Sequence, residues 1–212
     1  MSEIRASLSY WNMLTERSEF NEEQRALTFI DLLAHYEEPH RQYHNLPHIN
    51  QCLLEKDKCA HLLFDEKAVE LALWYHDAVY DLGEDNENKS AEMFFSRWSA
   101  NCSNKTLINR VYSLILATGY GGTSDEIDTP YVIDIDHSIL GQPENVFDEY
   151  EVAIRREYAI VPDEDFREGR LSILESFYNR PRIFKTDFFW GIYEFRARDN
   201  LSRSIAKLKS TL

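Results

Sequence analysis

Cysteine is scarce in this chain. Its 212 residues include Cys52, Cys59 and Cys102, an odd number with no CxxC spacing. That pattern speaks against a disulfide framework and for reduced thiols in a reducing compartment. Seven glycines and six prolines leave little room for long linkers. Neither a repeat nor a low-complexity tract breaks the chain. No apolar run reaches the ~18–20 residues that span a bilayer. The start, MSEIRASLSYWN, lacks a basic stretch followed by an apolar core, so no secretory leader is expected and a cytoplasmic location is. Basic clusters are missing too. With a formal net charge of −14, the chain lacks the positive face that a nucleic-acid partner requires. A small phosphorylated substrate stays compatible, because a bound cation and a few arginines reverse the sign locally.

What is present describes a globular core, with 43% hydrophobic and 28% charged residues. The length suits one domain. Helical signals dominate. Segment 21–37 opens with Asn21 as a cap, carries acids in its first turn, and spaces Leu27, Ile30, Leu33 and Ala34 with helical periodicity. Segments 48–63, 66–80, 88–101 and 104–117 are each amphipathic, with Gly83 expected to stop the second of these. GYGGTSDEIDTP, 119–130, reads as a loop. Helices are expected again over 131–140, 143–160, 163–179 and about 190–209, and only TPYVIDI has strand-like composition. The expectation is an all-α, single-domain bundle of about nine or ten helices covering 1–212.

One run stands apart. LALWYHDAVYDL, 71–82, sets His76 and Asp77 within one of the most apolar stretches of the chain. A lone buried carboxylate costs several kcal/mol, roughly, unless something compensates. On a helix, His76 shares the face of Ala72, Leu73, Val79 and Tyr80, and Asp77 lies ~100° away at the edge of that face. No lysine or arginine lies within one turn of Asp77. A divalent cation held by both side chains explains the pair better than an ion pair does.

Two further stretches add candidates. In YHNLPHI, 43–49, proline favours a first helical turn, so His48 is expected to open a helix with His44 on the approach to it. In YVIDIDHSILG, 131–141, helical spacing aligns Asp136 with Val132, Ile133, Ile139 and Leu140, and Asp134 with more polar neighbours. Asp136 is therefore expected to be the more buried carboxylate and the better third contributor, with Asp134 exposed or supporting.

The ordered set His48, His76–Asp77, Asp136 resembles the HD superfamily of metal-dependent phosphohydrolases. YHNLPH is similar to the YHNxxH of cyclic-nucleotide phosphodiesterases, in which the first histidine protonates the leaving oxygen and the second binds metal. HDAVYD is similar to the HDxxED of guanosine-polyphosphate hydrolases, with Tyr80 in place of an acid and Asp81 retained. The nearer resemblance is to a bacterial group of predicted HD phosphohydrolases of about 200 residues. It is carried by RQYHNLPHI (41–49), ALWYHDAVYD (72–81), NENKSA (86–91), DIDHSILG (134–141), IRREY (154–158), GR (169–170) and ARDNL (197–201).

The resemblance implies an HD-type bundle, with a metal-site core over about 25–141 and C-terminal helices over 143–210 packing on it. It implies a hydrolase of phosphate esters or anhydrides, nucleotides among the candidate substrates. No histidine lies between Asp77 and Asp136, which points to one divalent ion (Mn, Co, Ni, Mg, Fe or Zn) held by His48, His76, Asp77 and Asp136. His44 is the expected general acid. Asp81, or else Glu87, is expected to activate water in place of the acid missing at Tyr80. Arg41, Arg155, Arg170 and Arg198 are the expected phosphate contacts, because guanidinium forks suit phosphate oxygens. The alternatives are a catalytically quiet module that binds metal or ligand, and a metal hydrolase of a non-phosphate ester.

Overall fold

A computed structural model describes residues 4–16, 18–82, 85–119 and 121–210. Among them the chain is all-helical, with ten α-helices and two 3₁₀ turns. No helix among the described residues is long and apolar enough to cross a membrane. The chain divides into two compact units, 1–133 and 134–212.

The first unit contains α1 (Leu8–Thr15), α2 (Glu22–Tyr36), α3 (Leu46–Cys59), α4 (Glu66–Tyr75), α5 (Asn86–Ser99) and α6 (Lys105–Thr118). Its central element is α4, in which every residue from Ala68 to Tyr75 is buried. A helix apolar on all sides belongs inside a core, and α3, α5 and α6 pack around this one. Aromatic rings fill the space between them. Trp11 meets Trp74 edge to face at 5.4 Å, and Phe94 stacks on Trp98 at 5.5 Å. Buried polar tips find partners: the Tyr36 hydroxyl donates to the Trp74 carbonyl at 2.9 Å, and Trp98 Nε1 donates to the Tyr75 hydroxyl at 3.2 Å. Side-chain caps start several helices. Asn21 forms a reciprocal capping box with Gln24, Asp65 accepts from the Ala68 amide, and Asn104 accepts from the Leu107 amide.

A buried ammonium pins α3 to α4. Lys56 lies 2.7 Å from Glu70, 2.8 Å from Glu66 and 3.0 Å from Asp57. Burial lowers its pKa, but the Glu70 charge and the bonds to Glu66, Glu70 and Asp57 outweigh burial and raise it.

The helix expected over 66–80 ends early, at Tyr75, with His76 as its C-cap. Its expected stop, Gly83, lies outside the described residues. The cause of the early end is long-range. The Val79 amide, which would bond the Tyr75 carbonyl in a continuing helix, donates to Ser90 Oγ instead, and the carbonyls of Asp77 and Ala78 beyond it accept from the Arg41 guanidinium. His76 and Asp77 therefore stand at the end of a core helix and not along its side.

Helix α7 (Thr129–Asp136) covers the segment with strand-like composition, and the boundary between the units falls within it. The second unit continues with a 3₁₀ turn (His137–Gly141), α8 (Glu144–Glu157), α9 (Asp163–Tyr178) and α10 (Asp187–Ser210). Helix α10 packs on that turn and on α9. Gly141 is needed there, because a Cβ would stand 2.4 Å from Cβ of Tyr193. Phe147, Leu174, Phe184, Phe189 and Leu201 form the buried core of this unit.

Candidate metal centre

Helix α3 presents the first histidine. Asn45 is its N-cap and accepts from the His48 amide at 3.4 Å, with Pro47 in the first turn. His48 thus opens α3, as its spacing from Pro47 predicts, and is 6% exposed. His76 comes from the end of α4 and is also buried. Its Nδ1 lies 2.9 Å from the Leu73 carbonyl. A carbonyl only accepts, so Nδ1 carries a hydrogen and Nε2 is the ring atom turned the other way. A hydrogen bond to the remote ring nitrogen is the usual way a metal-binding histidine is oriented.

That nitrogen stands close to two other atoms of metal-ligand type. His76 Nε2 stands 3.3 Å from His48 Nε2. Oδ2 of Asp77 stands 3.1 Å from His76 Nε2 and 3.4 Å from His48 Nε2. The same oxygen is buried and makes no hydrogen bond among the described residues. Burial pushes the Asp77 carboxyl up, but His76 first, then His44 and His48, pull it further, to well below the usual carboxylate range. The group stays ionised. The Oδ2 of Asp77, which has no hydrogen bond of its own, and the Nε2 atoms of two histidines therefore converge. Donor atoms held about 2.0–2.2 Å from one ion at tetrahedral or octahedral angles stand roughly 2.8–3.6 Å apart. The three observed separations fall in that range, so the donor set fits a divalent cation.

Cys52 belongs to the same cluster. Its Sγ lies 3.7 Å from His48 Nε2, and ligand atoms of His48, Cys52 and His76 all lie within 4.8 Å of one another. The sequence reading gives Cys52 and Cys59 no part in the site, and both are buried. It misses that Cys52 faces the site, although a residue four positions after His48 on one helix is its neighbour on the same side. Cys59 lies elsewhere, with Sγ 3.4 Å from the Lys56 carbonyl.

Around the cluster, the His44 ring stacks on Tyr80 with centroids 4.0 Å apart and lies 5.9 Å from the His48 ring. Asp81 is at the surface, its side chain 65% exposed and its carboxylate 3.9 Å from Lys89. Its backbone is fixed by reciprocal bonds with the Asn86 side chain. The Glu87 side chain packs against Gly119, where a Cβ would stand 3.2 Å from it.

The two aspartates of the second unit reverse the expected burial. Asp134 is wholly buried and Asp136 is half-buried. Both oxygens of Asp134 are occupied. They accept from the Lys185 amide, the Thr186 amide and the Thr186 hydroxyl, each at 2.7 Å. Burial still raises its pKa, against those three hydrogen bonds. The sequence view weighed only helical neighbours, and these partners lie some fifty residues further on.

Each expected phosphate-binding arginine is engaged within the protein. Arg41 bonds Glu38 and three main-chain carbonyls. Arg155 bonds the carbonyls of Tyr158 and Val161 and pairs with Asp163. Arg170 is buried and pairs with Glu151. Arg198 pairs with Glu194 and bonds the carbonyls of Tyr178, Arg180 and Pro181. Against known proteins, no family model matches this sequence, and neither a curated protein nor a solved structure matches it.

Proposed function

We propose that this chain is a metal-dependent phosphohydrolase acting on a small phosphorylated compound. The observation that carries the reading is the convergence of His48 Nε2, His76 Nε2 and the unbonded Oδ2 of Asp77. Asp136 supplies the fourth ligand in this reading. It rests on the ordered HD motif, and on Asp134 having spent both oxygens on residues 185–186. A divalent ion held there supplies positive charge opposite a phosphoryl oxygen and acidifies water.

The chain's own groups do the rest. His44, stacked on Tyr80 beside His48, hands a proton to the leaving oxygen. General acid help of this kind is worth about 10²–10⁴-fold. Asp81 or Glu87 takes the proton of the attacking water.

Turnover of a generic phosphoester with added manganese, cobalt or nickel tests this. The expected result is metal-dependent turnover that falls about 100-fold in His44→Ala while metal content is unchanged. Loss of metal in that variant makes His44 a ligand. A metal-loaded protein inactive on a broad phosphate panel is instead the quiet module. One observation favours that second reading: Arg41, Arg155, Arg170 and Arg198 are all committed to internal partners.

A further inference from the structure

Arg41 has a job other than meeting substrate. Its side chain is wholly buried, whereas phosphate recognition needs a guanidinium with donors turned outward. Nε donates to Glu38 at 2.9 Å. Nη1 donates to the His44 carbonyl at 3.1 Å and to the Asp77 carbonyl at 2.6 Å, and Nη2 to the Ala78 carbonyl at 3.0 Å. The guanidinium carbon stands 5.3 Å over the Tyr36 ring and 5.8 Å over the Tyr80 ring.

These bonds link three parts of the site. The carbonyls of Asp77 and Ala78 follow the last turn of α4, where helix carbonyls lack partners of their own. A cation is favoured at that end of a helix. The same fork holds the carbonyl of His44, four residues before His48. One planar group thus ties the segment carrying His44 and His48 to the His76–Asp77 pair. Fixing the main chain of Asp77 fixes where its Oδ2 points, and that oxygen sits 3.1 and 3.4 Å from the two imidazole nitrogens. A lysine, with one point-like head, does not span three carbonyls in two directions.

From this, and resting on the metal-binding reading above, we infer that Arg41 is a positioning residue that sets the geometry of the metal ligands. The test is a calorimetric and spectroscopic titration with cobalt(II) of the wild-type protein, Arg41→Lys and Arg110→Lys. Arg110 is the control, since it bridges Asp65 and Glu126 in the same unit and touches none of the site. Arg41→Lys is expected to keep its helix content, bind cobalt about 10–100-fold more weakly and show an altered cobalt visible spectrum. Arg110→Lys is expected to change thermal stability alone. Millimolar guanidinium is expected to restore part of the cobalt affinity in Arg41→Ala.

A wild-type protein that binds no cobalt removes the metal reading itself. A wild type that binds, with a folded Arg41→Lys of equal affinity and identical spectrum, overturns this inference alone. Should Arg41→Lys not fold, Glu38→Ala decides. It removes the Nε partner, along with two 3.9 Å contacts to His35 and His40, and is expected to weaken cobalt binding by less than the roughly 10–100-fold of Arg41→Lys; unchanged affinity there overturns the inference.

Discussion

Lys56 and Asp77 are both buried charges in the first unit, yet their surroundings differ in kind. Around Lys56, Glu70, Glu66 and Asp57 all lie within 3.0 Å, and the ammonium's three hydrogens have carboxylates to meet. Around Asp77, Oδ2 has no hydrogen-bond partner and stands 3.1 and 3.4 Å from two imidazole nitrogens. The first is a closed ion cluster that joins α3 to α4. The second brings together atoms of the kind that hold a divalent cation. A buried charge that is fully paired serves packing, while a carboxylate oxygen without a hydrogen bond, set between two imidazoles, marks a place for a ligand.

The largest effect expected from that contrast is on metal binding. Asp77→Ala is expected to lower divalent-metal affinity more than about 100-fold, beyond the range typical for losing a mere supporting group. Calorimetric titration checks it.

Lys56→Met sharpens the other side. Breaking a buried pair by removing one partner costs roughly 3–5 kcal/mol. Glu66 is half-exposed, with 53% side-chain accessibility, so the low end, about 3 kcal/mol, is expected by chemical denaturation. Metal affinity is expected to stay within twofold of wild type. A large loss of metal in this variant breaks the distinction between the two sites.

Metal itself is expected to stabilise the protein by about 2.7 kcal/mol at a hundredfold excess over Kd. A chelator reverses the gain, and thermal melts read both. Acid releases the metal as well. Asp77 is held below the usual carboxylate range, so the carboxylate persists as pH falls toward 4. The first loss of metal in that descent is therefore expected from protons competing for the imidazole nitrogens and not for Asp77.

The smallest effect is reserved for Cys52→Ser. Sγ lies 3.7 Å from His48 Nε2, a longer contact than the three within 3.4 Å. A change in metal affinity below about tenfold is expected; a larger loss makes the sulfur a ligand and adds it to the three.

The parts of this site that the sequence made legible are the local ones. Pro47 and Asn45 fix how α3 starts, and so where His48 sits. The apolar run around 71–75 forces α4 into the core and carries His76 and Asp77 with it. The illegible parts depend on distant partners. Helix α4 stops at Tyr75 where the Val79 amide, which would bond the Tyr75 carbonyl in a continuing helix, donates instead to Ser90 Oγ. Asp134 is buried because the backbone at 185–186 folds onto both of its oxygens. Helical periodicity sees only residues a turn or two away, so it ranked Asp136 as the more buried of the two. The arginines show the same limit. Their side chains close turns and pair with acids far along the chain, as Arg198 does at the carbonyls of 178–181.

The most direct measurement is elemental analysis of the purified protein beside His76→Ala, after both are exposed to a divalent metal and desalted. One ion per wild-type chain, absent from a folded His76→Ala, is the result expected from two imidazole nitrogens and a carboxylate oxygen within 3.4 Å of one another. Wild-type protein free of metal, or a variant that retains the same content, contradicts it.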